Sequence, residues 1–357
     1  MKNEKSPRFE IGYRQVHVSG MHSNSDFNFL SMAKNFSSTV DAVFFPWLNM
    51  PTARASLGDK NGWNDWGVQE ELEKDLKALK QMGINLVLLL NANCYGELSV
   101  SRYLSRYVLS VIDRLESINA KPDIITTCSP FIAEIIKKNH KDIKTRASVN
   151  MKIGTIQGME YLADYFDEYT MQREYNRDIS HIRNLKDWAD REGKKLIILA
   201  NSGCLYDCSA QIYHDNMVAH ETEIGRTENL PGIDHVNCRR LMKNPANWKY
   251  ILQATWIRPE DLHHYFEYFP IVKLATRMHQ NPWLVLQAYS SGFHPGALTD
   301  FLEPCFSGEI GGRMIANQAF PEDWFEKTST CGRKCEKCCY CTEVLEKTLA
   351  NNDSFFV

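Results

Sequence analysis

Residues 84–127 read INLVLLLNANCYGELSVSRYLSRYVLSVIDRLESINAKPDIITT. This segment begins with an apolar run, Ile84–Leu90, and ends with a second β-rich run, Asp123–Thr127, and both are typical of buried strands. A strand, a helix and another strand in this order are typical of a parallel sheet. Between the runs, Ser101–Ile118 has apolar side chains at a spacing of three to four residues, which predicts a helix with one apolar face: Tyr103, Leu104, Tyr107, Val108, Val111, Ile112 and Leu115.

The same alternation of β-rich runs and helical patterns continues along most of the chain. Helical patterns occupy, for example, Val68–Gln81 and Ile179–Glu192. Eight such units predict an α/β fold, a (β/α)8 TIM-like barrel in residues 1–300. With the two runs above, six further β-rich runs make eight predicted strands: Tyr13–Val18, Val40–Phe45, Ile143–Ser148, Glu168–Gln172, Lys195–Ala200 and Pro270–Thr276.

Two segments fall outside this alternation. Residues 201–251 are rich in Cys, His, Asn and Arg, and they separate the seventh and eighth predicted strands by about seventy residues, far more than a usual loop. Because long insertions usually carry function, we expect the functional site to include this insertion. Residues 301–357 are predicted to form a cysteine-rich C-terminal extension.

Composition narrows the function classes. The chain has 357 residues, a formal net charge of −3 and 11 cysteines. This charge disfavours non-specific binding of nucleic acid, although a local groove for RNA stays open. No signal peptide or membrane span is visible, so we expect a cytoplasmic protein. In a reducing compartment the thiols are available for metals or redox chemistry rather than for disulfides.

The densest group of cysteines is CGRKCEKCCYC at residues 331–341. Cysteines at this spacing let one tight loop surround a metal centre. A 4Fe-4S cluster and a zinc ion both accept four thiolates, so both alternatives stay open. The first three cysteines also match the spacing in radical S-adenosylmethionine enzymes, but their position after the barrel argues against that class. The regular set is Cys331, Cys335, Cys338 and Cys341, with Cys339 outside it.

A second group of cysteines begins at the end of the seventh predicted strand, where barrel enzymes place their active sites. The sequence there is NSGCLYDC at residues 201–208, so Cys204 and Cys208 are candidate metal ligands together with Cys238 in the same insertion. Cys305 is the leading candidate for the fourth ligand. We expect the cysteines at positions 94 and 128 to be small buried apolar side chains instead.

Polar residues at the other strand ends predict a substrate pocket. Arg173 and Glu174 form either a structural ion pair or a clamp for a carboxylate donor such as a hydroxylated acid. His214 and His220 are six residues apart, so they do not share a helical face as a zinc pair would. Each is either a structural histidine or a substrate contact and proton donor. The predicted substrate-binding residues are Asn91, Asn93, Ser148, Asn150, Gln172 and Arg277.

The order of several motifs resembles the collagenase-like peptidase family U32. In that family an Arg-Glu pair follows the sixth strand, a cysteine group follows the seventh, and a Lys-hydrophobic-x-x-Arg element forms the eighth. The resemblance implies a barrel with a 4Fe-4S cluster held by four cysteines. Family members include iron–sulfur proteins for oxygen-independent hydroxylation of transfer RNA, ribosomal RNA and a ubiquinone precursor. The matching motifs are RASVN at 146–150, QRE at 172–174, NSGC at 201–204, IRPED at 257–261 and FPIVKLATR at 269–277.

The chain departs from the family pattern at several positions. The gap between Cys204 and Cys208 is compact, the third cysteine is shifted, and Ala275-Thr276 stands where Glu-Gly is usual. The extra cysteines of the C-terminal extension are a further departure. These differences leave the fourth ligand and the substrate open.

These motifs predict a redox enzyme with one or two 4Fe-4S clusters. The alternative for the C-terminal cysteines is a zinc ion in place of the second cluster. The expected reaction is oxygen-independent hydroxylation, or a related modification, of a small-molecule, peptide or nucleic-acid substrate. An electron-donor protein and a subunit of the same family are the expected partners. A peptidase is the alternative, but the sequence has no evident Ser-His-Asp, Cys-His or His-Glu-x-x-His arrangement. A non-catalytic iron–sulfur accessory protein is a third class.

Overall fold

The computed structural model describes residues 8–14, 28–54, 65–231 and 236–351. Eight parallel strands form a closed barrel in which each strand pairs with the next one along the chain and the first pairs with the eighth. The predicted α/β fold, a (β/α)8 TIM-like barrel, is confirmed. The strands are β1 (Arg8–Gly12), β2 (Val40–Pro46), β3 (Asn85–Leu90), β4 (Ile124–Thr127), β5 (Lys144–Ala147), β6 (Glu168–Thr170), β7 (Lys195–Leu199) and β8 (Ile271–Leu274).

Seven of the eight predicted strands coincide with observed strands, and the first is wrong. β1 ends at Gly12, whereas the strand predicted at Tyr13–Val18 follows it, with residues 15–18 lying outside the described residues. The reason is Glu10, which interrupts the apolar run in the middle of β1. It is fully buried in the barrel, where it forms an ion pair with Arg146.

The helices include those predicted from the apolar periodicity. The third helix is capped by Ser101, whose hydroxyl accepts a hydrogen bond from the backbone N–H of Leu104 at 3.0 Å. Its apolar face is narrower than predicted, because Tyr103 is 63% exposed. In the described residues the α-helices are α1 (Phe29–Asn35), α2 (Trp66–Gln81), α3 (Arg102–Ser117), α4 (Pro130–Asn139), α5 (Ile156–Glu160), α6 (Ile179–Arg191), α7 (Gln211–Ala219), α8 (Glu221–Ile224), α9 (Asn237–Met242), α10 (Lys249–Gln253), α11 (Pro282–Ser291), α12 (Trp324–Ser329) and α13 (Tyr340–Thr348).

Among these helices, none combines the length and apolar character that a bilayer crossing requires.

A buried ion network joins four strands inside the barrel. The Arg146 Nε donates to Glu168 at 2.7 Å, and both Arg146 and Lys273 form ion pairs with Glu10. Burial alone would raise the pKa of Glu10, but the two cations hold that pKa at about 2. Each charge inside the barrel is therefore compensated by a partner on a neighbouring element.

The residues that follow the barrel pack back onto its insertion. β9 (Arg313–Ile315) and β10 (Leu349–Asn351) form an antiparallel pair, and α13 packs against α10. The ring of Trp324 stacks on that of Trp256, with centroids 5.7 Å apart. These contacts bring the C-terminal cysteines to the side of the insertion.

Candidate functional site

A cavity of about 530 Å3 lies at the carboxyl end of the barrel, between the insertion and the segment that follows residue 298. The loop after β7 supplies two of its cysteines, α9 supplies a third, and the segment before β9 supplies a fourth. Segments that are far apart in sequence thus meet at one cavity. Its wall includes all four cysteines predicted for the barrel centre: Cys204, Cys208, Cys238 and Cys305.

A short parallel bridge holds two of the cysteine-bearing segments together. Ser202 pairs with Glu303, and the N–H of Gly203 donates to the carbonyl oxygen of Glu303 at 3.0 Å. A Cβ at position 203 would lie 2.0 Å from the carbonyl oxygen of Pro304, a separation that real Cβ atoms do not show. Only glycine permits this close approach, which fixes the two cysteine-bearing segments relative to each other.

Two arginines lie beside the first cysteine of the insertion. The Nη2 of Arg54 is 4.0 Å from the Sγ of Cys204. Burial raises the pKa of Cys204, but the charges of Arg173 and Arg54 and the hydroxyl of Ser202 together bring it below that of an ordinary thiol. The surroundings therefore favour the thiolate, which is the form that binds metals.

The four thiols do not converge on a single ion. Within the described ranges, no three Cys, His, Asp or Glu side chains are placed to hold one metal ion. Thiolates bound to one zinc lie within about 4.6 Å of each other, because each Zn–S bond is about 2.3 Å long. In a 4Fe-4S cluster each thiolate binds a different iron, so the thiols stand farther apart.

A second cavity, of about 90 Å3, adjoins the first and shares Arg54 and Glu303 with it. Two buried donor atoms on its wall, Nη1 of Arg277 and Nδ2 of Asn150, have no hydrogen-bond partner. Burial and the charge of Arg54 lower the pKa of Arg277 to about 9. Unpartnered donors with a surplus of positive charge suit an anionic group. The predicted site residues on this wall are Asn91, Ser148, Asn150, Arg173 and Arg277.

The neighbours Arg173 and Glu174 point in different directions. Arg173 is 4% exposed, and its Nη1 donates to the Oγ of Ser202 at 3.2 Å. Glu174 lies 4.0 Å from the Nζ of Lys152 instead. The ion pair considered for these two neighbours is therefore not formed, and only Arg173 reaches the smaller cavity.

Three other residues predicted at the mouth lie outside both cavities. They are Asn93, Gln172 and Glu174. The Oδ1 of Asn93 accepts a hydrogen bond from the thiol of Cys128 at 3.3 Å, and that thiol also lies 3.3 Å from the backbone carbonyl oxygen of Asn91. These contacts link the ends of β3 and β4, so Asn93 and Cys128 stabilise the barrel rim.

The two histidines are in different places. His214, on α7, lies on the wall of the larger cavity. His220 lies outside it, beside Cys94, and its imidazole pairs with the carboxylate of Glu223. The sequence did not indicate that this cysteine and this histidine are neighbours. The contact with His220 and the N–H of Gly96 lower the pKa of Cys94.

Among the charged residues on the cavity walls that were not predicted from the sequence are Arg54, Asp215 and Glu303. Arg54 follows β2, Asp215 lies on α7, and Glu303 is part of the bridge beside Gly203. The position of Arg54 after a barrel strand was the available signal. The other two lie in segments with no strand pattern, so nothing local marks them.

The C-terminal cysteines lie outside both cavities. Cys335 contributes instead to a third cavity, of about 770 Å3, whose wall also includes Cys208 and Cys238. The thiol of Cys339 donates a hydrogen bond to Glu343 at 2.7 Å. The ligand set that leaves out Cys339 stays a prediction.

Comparison with known proteins supports the resemblance drawn from the motifs. An uncharacterized protease of Methanocaldococcus jannaschii is 25% identical over 288 residues, which cover 78% of this chain and 82% of that protein. The solved structure of a U32 peptidase superposes with a TM-score of 0.51 and 14% identity, over 75% of this chain and 92% of that chain. No family model matches the chain. The chain is thus similar in sequence to that protease, and it shares the barrel fold with the solved structure of the U32 peptidase.

Proposed function

We propose, from the resemblance to the U32 peptidases, that this chain is a cytoplasmic iron–sulfur redox enzyme that hydroxylates or otherwise modifies an anionic substrate without oxygen. One observation carries the proposal: four thiols from three separate segments line one cavity, which adjoins a pocket with two buried arginines and a half-buried third. A metal-ligating wall and an anion-binding wall next to each other are what such a reaction needs.

The barrel centre of this proposal is a 4Fe-4S cluster on Cys204, Cys208, Cys238 and Cys305. When bound, the cluster supplies one-electron transfer. The guanidinium groups of Arg54 and Arg173 lie next to Cys204 and would offset the negative charge of four thiolates. An electron-donor protein is the partner that this chemistry requires, and a subunit of the same family is a second candidate partner.

The smaller cavity is the binding site for the anionic end of the substrate. Arg277 and Asn150 each have a buried donor without a partner, and Arg173 lies on the same wall. Since this cavity measures about 90 Å3, it has room for one carboxylate or phosphate group. The remainder of a small molecule, a peptide or a nucleotide would extend into the adjoining cavity of about 530 Å3, towards the thiols.

Two titratable groups on the larger cavity are suited to moving a proton. Asp215 and His214 are neighbours on α7 and both reach its wall. Burial raises the pKa of Asp215 even though Arg54 and Arg173 act to lower it. A carboxyl group with a raised pKa holds its proton closer to neutral pH, so Asp215 is the candidate proton donor.

Anaerobic purification with quantification of iron and acid-labile sulfide tests this proposal. We expect a broad absorbance that bleaches on reduction. The part of this absorbance that comes from the barrel centre should be lost in Cys305→Ser. Cys128→Ser is the matched control, because that thiol is bonded to the barrel rim and lies outside the cavity. Stoichiometric zinc without sulfide would contradict the proposal. A cluster without turnover of any anionic substrate would favour the non-catalytic accessory protein.

A second candidate function, peptide hydrolysis, is favoured by one specific contact. The thiol of Cys94 lies beside the imidazole of His220, which in turn pairs with Glu223. A thiol, an imidazole and a carboxylate in this order match the arrangement of a cysteine nucleophile with its base and orienting group. The similarity to an uncharacterized protease of Methanocaldococcus jannaschii is a second reason to test the chain for peptide hydrolysis.

The two functions are separable by variants. Hydrolysis of casein or gelatin by the purified chain, abolished by Cys94→Ser and retained in Cys305→Ser, would establish the peptidase. If the wild type contains iron and sulfide but hydrolyses neither substrate, only the redox function remains supported.

A further inference from the structure

The C-terminal cysteines form a compact group of their own. We call Cys331, Cys335, Cys338 and Cys341 the tail thiols. A turn of 3-10 helix at Cys335–Lys337 folds the loop back, and the N–H of Arg333 contacts the Sγ of Cys331 at 3.4 Å. Cys341 lies in the first turn of α13, which packs against α10 and so holds the end of this loop on the insertion side of the barrel.

A buried cation faces this group and lacks a full set of partners. The guanidinium of Arg177 lies 4.3 Å from the ring centroid of Trp256 and 5.1 Å from that of Trp324, and the residue is 5% exposed. Its Nε and Nη1 donate to backbone carbonyl oxygens at 3.1 and 3.0 Å, while Nη2 has no hydrogen-bond partner. Trp324 in turn stacks on Tyr340, the residue before Cys341, with ring centroids 6.0 Å apart.

A second cation lies on the other side of the loop. The Arg333 Nη1 donates to the carbonyl oxygen of Gln253 at 2.7 Å, and its guanidinium lies 4.2 Å from the ring centroid of Tyr206. Within the described residues, neither Arg177 nor Arg333 forms an ion pair with a carboxylate. Two buried or half-buried cations therefore face four thiols, and burying an uncompensated cation is costly.

We propose that the tail thiols hold a second iron–sulfur centre, a 4Fe-4S cluster whose negative charge is balanced by Arg177 and Arg333. A cluster with four thiolate ligands is an anion, and it becomes more negative on reduction. The unpartnered Nη2 of Arg177 would then have a sulfur atom to contact.

This second centre lies next to the barrel centre. Cys335 and Arg333 share the third cavity with Cys208 and Cys238, so one thiol of the tail and two of the barrel border the same space. The relay role below rests on the proposed function of the barrel. A one-electron carrier protein would reduce the tail cluster by one electron, and the tail cluster would return to its oxidised state by passing that electron to the barrel centre. No atom is transferred in either step.

The test is the iron content of the anaerobically purified, full-length chain. We expect about eight irons and eight sulfides in the wild type, and about four of each in Cys331→Ser and in Cys335→Ser. Cys339→Ser is the matched control in the same loop, because its thiol is bonded to Glu343, and it should keep all eight. About four irons in the wild type that are unaffected by the tail variants would overturn the second centre. One zinc per chain, lost in the tail variants, would overturn it equally.

Variants of the barrel keep this inference distinct from the proposed function. If Cys204→Ser removes four irons while the tail variants remove the other four, both centres stand. If Cys204→Ser leaves the iron content unchanged and the tail variants abolish it, the barrel proposal fails and the tail centre stands.

Two further measurements complete the test, and the first needs only the wild type. In the wild type, alkylation by iodoacetamide followed by peptide mass mapping should spare the tail thiols and modify Cys339. A potentiometric titration should then show a more negative midpoint potential for the tail cluster in Arg333→Gln, and no change in Lys334→Gln, whose side chain is exposed. Free alkylation of all five tail cysteines before any iron is removed would reject the proposal.

Discussion

The guanidinium of Arg173 donates a hydrogen bond to the hydroxyl of Ser202 at 3.2 Å. This contact joins the segment after β6 to the start of the loop that carries Cys204, since Ser202 lies two residues before that cysteine. One arginine therefore links the anion pocket to the proposed metal centre. Glu174, its neighbour in sequence, takes no part in this link.

Arg173→Ala should lower kcat/KM by roughly ten- to hundred-fold, because a charge-assisted hydrogen bond in a sheltered site is worth about 1.5–3 kcal/mol. Glu174→Ala, at the adjacent position, is the control and should leave activity nearly intact, in contrast to the expectation that both neighbours contribute. The measurement is steady-state turnover beside the melting temperature of each variant. A large loss of stability with normal turnover per folded Arg173→Ala molecule would show a structural role only.

Gly203→Ala should destabilise the barrel mouth by about 1–3 kcal/mol, the usual cost of forcing extra atoms into a packed site. The added Cβ would lie 2.0 Å from the carbonyl oxygen of Pro304, so the two cysteine-bearing segments would have to separate. We also expect loss of iron from the barrel centre. Gly308→Ala is the control, because a Cβ there meets nothing within 4 Å. Equal unfolding midpoints for both variants in urea would refute the close approach.

Cys94 should be alkylated by iodoacetamide at a lower pH than an ordinary thiol. The contact with His220 and the N–H of Gly96 lower its pKa below the usual 9.0, and the thiolate is present only above that pKa. His220→Gln should move the rate profile to higher pH. Cys128 is the internal control, since burial raises its pKa to about 12 and it should stay unreactive. Identical profiles for the wild type and His220→Gln would exclude the Cys94–His220 contact.

Glu10 should make the stability of the barrel depend on pH in the acid range. Its pKa is held at about 2 in the folded chain, against an ordinary 4.5, so its contribution is fully present above pH 4.5 and is lost as the pH falls towards 2. The shift corresponds to about 3 kcal/mol. Urea unfolding between pH 2 and 6 should show this slope in the wild type and a reduced slope in Glu10→Gln. Glu134→Gln, which removes an exposed ion pair with Lys138, should not change it.

The sequence by itself determined the architecture and most of the cysteine pattern. Local periodicity predicts a barrel of repeated β-α units, since each strand and each amphipathic helix has its own pattern over a few residues. The thiols at positions 204, 208 and 238 stood out for a similar reason, because they cluster in one long insertion. Even Cys339 could be set apart from its neighbours by spacing alone.

Only the tertiary structure decided which side chains face each other. Arg173 and Glu174 are adjacent in sequence but diverge, because consecutive residues at the end of a strand leave it in different directions. Cys94 and His220, by contrast, meet across a long stretch of chain. The charged residue Glu10 made strand β1 hard to recognise from the sequence. Its partner Arg146 lies on the opposite side of the barrel, so no neighbouring residue indicates that the charge is neutralised. Contacts of this kind form only when the barrel closes. A short stretch of neighbouring residues therefore does not predict them.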